Sequence, residues 1–321
     1  MTQQLLVAGD TLVDFLPNRP GRIADVESFS PKFGGSAANV AVALERIGHP
    51  PLFWTRIARD RFGDYLADAL HESAIPDRFV VRDPDAKTTL AFVSNDEDGE
   101  RQFDFYRAGT ADTRMQTGTV PDETLADVSW VHLTGVTMSV EPSRGAMLDL
   151  AARARRQGCT VSLDPNTRPE MWASEDEFAT VIRDVLEQVD VVKATPEDLE
   201  AAGFDDDDPE ALAAAVAAFG PHTVLLTLGG EGAFSYGTSE SPLSGIETHG
   251  GYDVDVVDTT GAGDGFLAGA IASLAAGVES PERVLAVANA VGAITTTKQG
   301  SVTALTGADP IRELVGPLPW D

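Results

Sequence analysis

The segment DTTGAGDGF at 258–266 contains the residues best suited to chemistry. Three small residues, Gly261, Ala262 and Gly263, allow backbone N–H groups to converge on an anion without obstruction by side chains. The positive end of a following helix would add favourable charge. Asp264 stands at the rim of this predicted anion hole, where a carboxylate is unwelcome beside a phosphate unless it has a chemical task. We therefore predict that Asp264 takes a proton from a hydroxyl group that attacks a phosphoryl group.

The elements on either side of this segment would position it. Its valines predict a strand over Tyr252–Val257, and an apolar run predicts a helix over Phe266–Ala276. An ordinary helix N-cap on a flexible glycine turn would also have small residues at such a junction. The full nine-residue string favours a phosphate site over that alternative.

A second cluster of small and polar residues lies near the N-terminus. Gly34 and Gly35 open the string GGSAANVA, where the backbone can approach a ligand closely, and Asn39 adds an amide. Asp10 and Asp14 follow the first predicted strand, and ligands in doubly wound sheets bind at the carboxyl ends of strands. We expect these residues to contact a polar substrate. The alternatives are a plain turn for the glycines and a solvated loop acid for Asp14.

The two motifs, in this order, resemble the signatures of the ribokinase-like, or phosphofructokinase-B-type, sugar kinases. The resemblance extends from about Leu5 to about Leu305. The chain has no G-x-x-x-x-G-K-[ST] string of a P-loop and no H-R-D string of a protein kinase. The resemblance implies an enzyme that transfers the γ-phosphoryl group of ATP to a primary hydroxyl of a sugar, with Mg²⁺.

The resemblance also implies a role for each site residue. Gly261, Ala262 and Gly263 would bind the γ-phosphate, and Asp264 would be the general base. The residues implied to bind the sugar are Asp10, Asp14, Gly34, Gly35, Asn39, Tyr106, Arg107 and Arg168. The residues implied to bind the nucleotide, besides Gly261 and Gly263, are Thr227, Gly229, Gly232 and Asn289.

Two further carboxylates are candidates for cation binding. Asp258 and the carbonyl of Thr260 match positions where relatives hold a monovalent cation such as K⁺, and a turn-capping role for Asp258 is the alternative. Where the family usually has N-x-x-E, this chain has Thr195 and Asp198. The resemblance implies that Asp198, or the adjacent Glu197, orders Mg²⁺ through water.

Two segments favour a fructokinase-like branch of the family. FDFYR at 103–107, followed by Ala111 and Asp112, resembles a fructokinase segment. DPNTR at 164–168 resembles a segment that fructokinases share with 2-keto-3-deoxygluconate kinases. Fructose is therefore the leading substrate.

Several alternatives stay open. A 2-keto-3-deoxygluconate kinase must bind a carboxylate, which suits Arg107 and Arg168 but makes Asp14 an awkward neighbour. A 1-phosphofructokinase would need more cations, and Lys32 is one of few in this chain. A nucleoside kinase is a further alternative. An intact Asp264 argues against a sugar sensor without catalytic activity.

Short apolar runs alternate with helical patterns, which predicts a doubly wound, mostly parallel sheet with helices on both faces. The predicted strands are Leu5–Ala8, Leu52–Ile57, Val128–Leu133, Thr160–Leu163, Val189–Lys193 and Val224–Thr227. The predicted helices, besides the one after Asp264, are Asn39–Ile47, Arg61–Ser73, Arg144–Gln157, Glu175–Gln188, Pro209–Phe219 and Pro281–Thr297.

Two stretches, near 11–33 and 88–107, break this alternation. The first is rich in turn residues, and Thr88–Tyr106 alternates around a turn at Asn95–Gly99, which predicts an antiparallel hairpin. We expect a small β-sheet inserted into a single kinase domain spanning 1–321. In the resembled family such a lid closes over the sugar and often forms a homodimer interface.

The composition excludes several classes of protein. With 51 acidic and 23 basic residues, a net charge of −28 repels nucleic acid and anionic membranes. No apolar stretch reaches the length of a membrane span, and the N-terminus has no signal-peptide pattern, so a cytoplasmic location is expected. The single Cys159 excludes an intrachain disulfide framework, and the five histidines show no zinc-binding spacing.

We interpret the acidic surplus as an adaptation to a cytoplasm with molar salt, an acidic interaction surface being the alternative. Raising KCl from about 0.1 M to about 1 M shortens the screening length from about 10 Å to about 3 Å and so weakens self-repulsion. We expect the thermal unfolding midpoint to rise across this range. Circular dichroism melts at the two concentrations measure it, with sucrose at matched osmolality as the uncharged control. An equal midpoint at both KCl concentrations would contradict the interpretation.

Overall fold

A computed structural model of the chain describes residues 4–19, 21–95 and 101–321. The strands are β1 (Gln4–Ala8), β2 (Leu12–Pro17), β3 (Phe29–Gly34), β4 (Leu52–Ala58), β5 (Val80–Asp83), β6 (Leu90–Asn95), β7 (Arg101–Tyr106), β8 (Val128–Thr134), β9 (Thr160–Asp164), β10 (Val191–Ala194), β11 (Thr223–Thr227), β12 (Ala233–Gly237) and β13 (Gly245–His249). The helices are α1 (Ser36–Arg46), α2 (Arg61–His71), α3 (Asp122–Leu125), α4 (Ser143–Arg156), α5 (Glu175–Leu186), α6 (Pro196–Ala201), α7 (Pro209–Ala217), α8 (Ala262–Ala275), α9 (Pro281–Thr295) and α10 (Asp309–Val315).

The main sheet has nine strands in the order β13-β12-β11-β10-β9-β8-β1-β4-β5. Every neighbouring pair from β11 to β5 is parallel, and only β12 and β13 are antiparallel to their neighbours. The predicted mostly parallel sheet is confirmed. The chain leaves β1 toward β4 on one side and returns to β8 on the other, so the strand order reverses at β1.

Helices cover both faces of this sheet, as predicted, because its central strands are apolar on both sides. One buried cluster packs α4, α5 and α7 against one face through residues such as Leu150, Ile182 and Val216. The other packs α1, α8 and α9 against the opposite face through residues such as Leu44 and Leu267. Among the residues placed by the structure, no helix is both long enough and apolar enough to cross a membrane.

A second sheet of four strands, in the order β3-β2-β6-β7, lies within the two stretches that break the alternation. The predicted hairpin is confirmed, since β6 and β7 pair antiparallel. Residues 96–100, which hold most of the predicted turn at Asn95–Gly99, lie outside the described residues. Asp60 links this sheet to the main body: its carboxylate caps α2 at Gly63 and also accepts bonds from the N–H and hydroxyl of Thr88.

The strand predicted over Tyr252–Val257 is wrong. These residues have no ladder partner, and the side chains of Val256 and Val257 are each 61% exposed. The edge of the sheet is instead completed by β13, which forms an antiparallel hairpin with β12. Valines favour a pleated, half-buried surface, but a strand also needs a neighbouring strand to pair with, and this segment has none.

Candidate active site

The predicted site residues meet at the carboxyl ends of the parallel strands, near the point where the strand order reverses. This is the position at which open α/β sheets bind ligands. Asp10 follows β1, Asp164 ends β9, Lys193 lies in β10 and Thr227 ends β11. The N-terminus of α8 approaches the same edge, with Asp264 in its first turn.

Asp264 is buried, and both of its carboxylate oxygens accept hydrogen bonds. The hydroxyl of Ser36 donates to Oδ1 at 2.8 Å, and the Asn39 amide donates to Oδ2 at 2.8 Å. Burial raises the pKa of Asp264 to about 6, against the effect of these two donors, which favour the ionised form. The predicted base is therefore a carboxylate that loses its proton just below neutral pH.

The turn before Asp264 needs glycine at Gly261 for two reasons. Its φ of 78° is left-handed, and a Cβ there would stand 2.7 Å from the Cβ of Ser301. Helix α8 begins at Ala262, four residues earlier than predicted, so the small residues form its first turn and their N–H groups point out of its N-terminus. The Ala262 N–H already donates to the Thr259 carbonyl at 3.2 Å. The Ala262 N–H would therefore be shared between the Thr259 carbonyl and a bound anion.

The first of two cavities at this edge lies on the Asp264 side of the turn. It has a volume of about 70 Å³ and joins most of the residues predicted to bind sugar. Its lining includes Asp10, Asp14, Gly35, Ser36, Asn39, Phe103, Phe105, Asn166, Arg168, Gly261 and Asp264. Gly34 lies directly behind Asp14, since a Cβ on Gly34 would stand 2.1 Å from Asp14 Oδ2. We call this space the acidic cavity.

Three carboxylates face the acidic cavity. Burial and the negative charge of Asp10 raise the pKa of Asp14 to about 7, while the guanidinium of Arg168 opposes the shift. Asp10 accepts bonds from the Ser36 N–H at 2.9 Å and the Ala37 N–H at 3.3 Å, so it also caps α1. Arg168 rests over the ring of Phe103, with 5.4 Å from the guanidinium carbon to the ring centre.

The second cavity lies on the other side of the turn and has a volume of about 340 Å³. It brings together five of the six residues predicted for the nucleotide: Thr227, Gly229, Gly232, Gly263 and Asn289 line it, as do Ala262 and Phe266. The sixth, Gly261, lines the acidic cavity instead. We call it the glycine-rich cavity. The Gly261–Asp264 turn is the wall between the two cavities, so a group bound at the helix N-terminus can be reached from both.

Sequence reasoning missed Lys193, one of only four lysines in the chain. Its side chain is 5% exposed, and its ammonium donates to Asp164 Oδ2 at 3.0 Å. A Cβ on Gly263 would stand 2.7 Å from Lys193 Nζ, so this cation lies against the N-terminus of α8. The carboxylates of Asp164 and Asp198 raise the pKa of Lys193, although burial opposes the shift, so the amine stays charged. A lone lysine in a buried strand pattern was the available signal.

Two other residues were missed because their role depends on contacts between distant elements. Ser36 lies within the motif that contains Asn39, but a serine after two glycines is equally suited to a helix start. Asn166 adopts a left-handed φ of 42° and donates from its amide to the Ser36 hydroxyl at 3.1 Å. It lies within the DPNTR segment, but nothing in the sequence connects it to Asp264.

The two cation candidates both act as capping residues. Asp258 accepts bonds from the N–H groups of Thr260 and Gly300, each at 2.9 Å, and so ties the turn to the segment after α9. Asp198 forms a capping box with Thr195 at the start of α6 and accepts a 2.7 Å bond from the Thr167 N–H. The described residues include no group of three or more His, Cys, Asp or Glu side chains that could hold a metal ion.

Three residues predicted to bind sugar, Gly34, Tyr106 and Arg107, do not line the acidic cavity. The side chain of Tyr106 is 64% exposed and packs edge-on against Phe92, at a ring-centre distance of 5.7 Å. Arg107 is buried and committed elsewhere: its guanidinium donates to Asp112 at 2.7 Å and to Ser139 at 2.6 Å. It lines a neighbouring cavity of about 270 Å³.

Comparison with known proteins identifies the class to which this arrangement belongs. Residues 2–307 match the model of the pfkB family carbohydrate kinases. The chain belongs to this family, and it is an ATP-dependent carbohydrate kinase with a ribokinase-like fold. The fold and kinase class expected from the two motifs are thereby confirmed.

Individual relatives point to one branch of the family. The chain is 32% identical to fructokinase-1 of Zea mays over 98% of both chains, and 30% identical to a fructokinase of Vibrio alginolyticus over 98% of this chain and 99% of that protein. A fructokinase from Xylella fastidiosa with bound ATP superposes with a TM-score of 0.87 at 28% identity, covering 98% of each chain. A double mutant of a Vibrio cholerae fructokinase, solved with fructose, ADP and potassium ion, superposes with a TM-score of 0.86 at 27% identity, also over 98% of each chain.

The buried Lys193–Asp164 pair gives a prediction about stability. Replacing Lys193 by Met leaves Asp164 buried without its cation, so we expect the free energy of unfolding to fall by about 3–5 kcal/mol. Urea denaturation of Lys193→Met measures the loss. The matched double variant, with Asp164→Asn added, should recover much of it because the uncompensated charge is gone. A single variant as stable as the parent would show that the pair has no structural role.

Proposed function

We propose that the protein phosphorylates a ketohexose, with fructose the first candidate, at a primary hydroxyl group. The observation that carries this proposal is the position of Asp264 on the wall between the acidic and glycine-rich cavities. The sugar hydroxyl would give its proton to Asp264 as its oxygen bonds to the γ-phosphorus of ATP. The bond from that phosphorus to the bridging oxygen breaks, and ADP leaves.

The first turn of α8 and Lys193 would neutralise the phosphates during this step. The N–H groups at the start of a helix favour anions, and a buried ammonium in contact with Gly263 adds a full positive charge where the γ-phosphate would lie. Phosphoryl transfer depends mainly on positioning and charge stabilisation. The arrangement supports the predicted roles of Gly261 and Gly263 and adds Lys193 to them.

The charges of the acidic cavity favour a neutral sugar over a keto acid. Asp10, Asp14 and Asp264 can accept hydrogen bonds from hydroxyl groups but repel a carboxylate. Arg168 is the one cation that lines this cavity within the described ranges, and it already offsets Asp14. Arg107, on which the 2-keto-3-deoxygluconate alternative also relied, is tied to Asp112. Lys32, needed for a sugar phosphate, is absent from the lining.

The small sheet would act as a lid within a single kinase unit. Strand β7 of this sheet borders the acidic cavity. Phe103 and Phe105 of β7 form part of its lining. We infer that β7 moves outward to admit the sugar and returns to exclude water from the transfer step.

Two cations belong to this proposal. Mg²⁺ commonly binds through one or two carboxylates and the substrate phosphates, so the lack of a carboxylate cluster among the described residues fits an ion that arrives with ATP. Both oxygens of Asp198 accept protein bonds, which leaves it an indirect role through water; the exposed Glu197 is the other candidate. K⁺ would lie near Asp258 and the Thr260 carbonyl. Mg²⁺ would supply charge neutralisation on the phosphates.

The face of the small sheet turned away from the sugar would bind a second copy of the chain. Side chains alternate along a strand, so Phe15, Phe92 and Tyr106 lie opposite the cavity-lining Asp14 and Phe105. These rings form one cluster, with Phe15 and Phe92 stacked at 4.7 Å. Phe15 and Phe92 are half-buried and Tyr106 is exposed, and aromatic residues are enriched at protein interfaces.

A coupled ADP-release assay with Mg-ATP in about 1 M KCl tests the substrate. Fructose and 2-keto-3-deoxygluconate are compared at equal concentrations, with ATP alone as the blank. We expect turnover on fructose, because three carboxylates and one compensated arginine suit hydroxyl groups. Turnover on the keto acid alone would overturn the proposed substrate and would show that Arg168 binds a carboxylate.

The base assignment predicts the behaviour of Asp264→Asn. An amide cannot accept the proton, so we expect kcat to fall by about 10²–10⁴-fold. In the parent enzyme, kcat/KM should rise with pH through about 6, because the base becomes ionised above that value. Steady-state kinetics between pH 5 and about 8 and a thermal melt measure both effects. A folded variant with the parent's kcat would exclude Asp264 as the base.

The sugar assignment predicts the behaviour of Asp14→Ala. Loss of this carboxylate removes hydrogen-bond acceptors for the sugar, so we expect the KM for fructose to rise by roughly tenfold, which is the cost of one hydrogen bond to a charged group. The KM for ATP should change by less than about twofold, since Asp14 does not line the glycine-rich cavity. An unchanged fructose KM would remove Asp14 from the sugar site.

The proposed dimer predicts the effect of a charge at its centre. Tyr106→Glu places a carboxylate among the aromatic rings, and it should not disturb the fold because the side chain is 64% exposed. Light scattering during gel filtration in about 1 M KCl should show a dimer for the parent and a monomer for the variant. Tyr106→Phe is the matched control and should remain a dimer. A monomeric parent would contradict the proposal.

A further inference from the structure

The carboxylate of Asp264 is oriented by one turn of helix α1. Ser36 and Asn39 lie three residues apart, so their side chains share a face of the helix. Each donates to a different oxygen of Asp264, at 2.8 Å in both cases. A carboxylate held at both oxygens cannot rotate freely, so these two donors set the direction in which its remaining lone pairs point.

Both donors are themselves held by residues from other parts of the chain. The Asn166 amide donates to the Ser36 hydroxyl at 3.1 Å, which leaves the hydroxyl proton directed toward Asp264. The hydroxyl of Ser301 donates to Asn39 Oδ1 at 2.7 Å. With its oxygen facing Ser301, the Asn39 amide must present its NH₂ group to Asp264. A flipped amide would place its oxygen against the carboxylate, which is repulsive.

Ser301 also lies against the anion-hole turn. A Cβ on Gly261 would meet the Cβ and the carbonyl oxygen of Ser301 at 2.7 Å. The preceding residue, Gly300, donates its N–H to Asp258. Ser301 is 3% exposed and lines neither the acidic nor the glycine-rich cavity. Ser301 therefore contacts Asn39, which holds Asp264, and also the turn that would bind phosphate. It would touch neither substrate.

We propose that Ser36 and Ser301 are positioning residues for the phosphoryl-transfer reaction: Ser36 acts directly on Asp264, and Ser301 acts through the Asn39 amide. Together they hold the carboxylate in the orientation and ionisation state that accept the proton of the sugar hydroxyl. The inference rests on the proposed role of Asp264 as general base. It goes beyond that role in one respect: the segment that contains Ser301, beside the anion hole, holds the base in place through Asn39.

Removing either hydroxyl should change the acidity of the base. Donors to a carboxylate stabilise its ionised form, so their loss raises its pKa. The other charged groups that face Asp264 are Asp14 and Asp10 in the acidic cavity, Asp164 at the end of β9 and Lys193 in β10. None of these is altered by the substitutions. The acid limb of kcat/KM, which reports the free enzyme, should therefore move to higher pH.

The experiment compares Ser36→Ala and Ser301→Ala with the parent. For each variant, kcat, the KM of sugar and of ATP, and the pH profile of kcat/KM are measured. We expect kcat to fall roughly tenfold and the acid limb to rise by about one pH unit, the effect of losing one hydrogen bond to a charged group. The KM for ATP should stay within about twofold. Ser301→Ala should also change kcat more than the sugar KM, because Ser301 itself does not line the acidic cavity.

Ser273→Ala is the matched control. Ser273 is a buried serine of helix α8, the helix that carries Asp264. Its hydroxyl donates to the Gly269 carbonyl at 2.8 Å, away from both cavities. Its removal should leave kcat and the acid limb unchanged. If Ser273→Ala shifts the limb as far as the other two variants, the effect is a general one of losing a buried hydroxyl, and the proposal is overturned.

The remaining outcomes separate this inference from the proposed function. Folded Ser36→Ala and Ser301→Ala enzymes with the parent's kcat and acid limb would overturn the positioning role, while an inactive Asp264→Asn would leave the base assignment intact. An active Asp264→Asn would overturn both. If Ser36→Ala loses its cooperative thermal transition, the Ser301→Ala profile decides the question, since that residue acts on the same carboxylate through Asn39.

Discussion

The proposed site depends on keeping negative charges buried at the place where we expect a negatively charged phosphate to bind. Asp264 lies in the first turn of α8, within the positive end of the helix. The same turn, together with Lys193 against Gly263, would hold the phosphate. The proposed base and the proposed phosphate site therefore share one source of positive potential. The fold resolves this competition by surrounding Asp264 with neutral donors, Ser36 and Asn39, and leaving the cation to the other side of the turn.

The two sheets contribute different residues to the site on either side of this turn. The main sheet delivers Asp10, Asp164 and Lys193 from the carboxyl ends of its strands, where the backbone is fixed by parallel ladders on both sides. The small sheet contributes one wall of the acidic cavity through β7. Because side chains alternate, its two faces carry different chemistry: Asp14 and Phe105 face the cavity, and the cluster of Phe15, Phe92 and Tyr106 lies on the other face, partly packed against α2. One small element would thereby serve as both the proposed lid and the proposed interface.

The extreme acidity of the chain makes the few buried cations more important. Lys193 and Arg107 both balance buried aspartates, and each would leave an uncompensated charge if it were lost. Most of the remaining charge lies on the surface, where molar salt would screen it. In the proposed mechanism the same acidity inside the cavity has a functional consequence, since the three carboxylates would accept hydrogen bonds from sugar hydroxyls and would repel a substrate that carries a carboxylate or phosphate.

The amino-acid sequence alone determined the kinase class and the mostly parallel sheet, because these depend on local residue types and on the spacing of apolar runs. It also predicted the anion-hole turn and Asp264 as the base, since small residues followed by a carboxylate are suited to that chemistry. Tertiary structure decided what depends on neighbours. It left Tyr252–Val257 without a partner strand, and it set the phase of β7 so that Phe105, and not Tyr106, faces the acidic cavity.

Contacts between distant elements were equally beyond the reach of the sequence. Lys193 reaches Gly263 only because β10 lies beneath the N-terminus of α8, and Ser301 reaches Asn39 only because the segment after α9 returns to α1. Neither Lys193 nor Ser301 belongs to a sequence motif that predicts its role. A hydrogen bond between residues some 260 positions apart, such as that between Ser301 and Asn39, is a product of the packed fold and has no local signature.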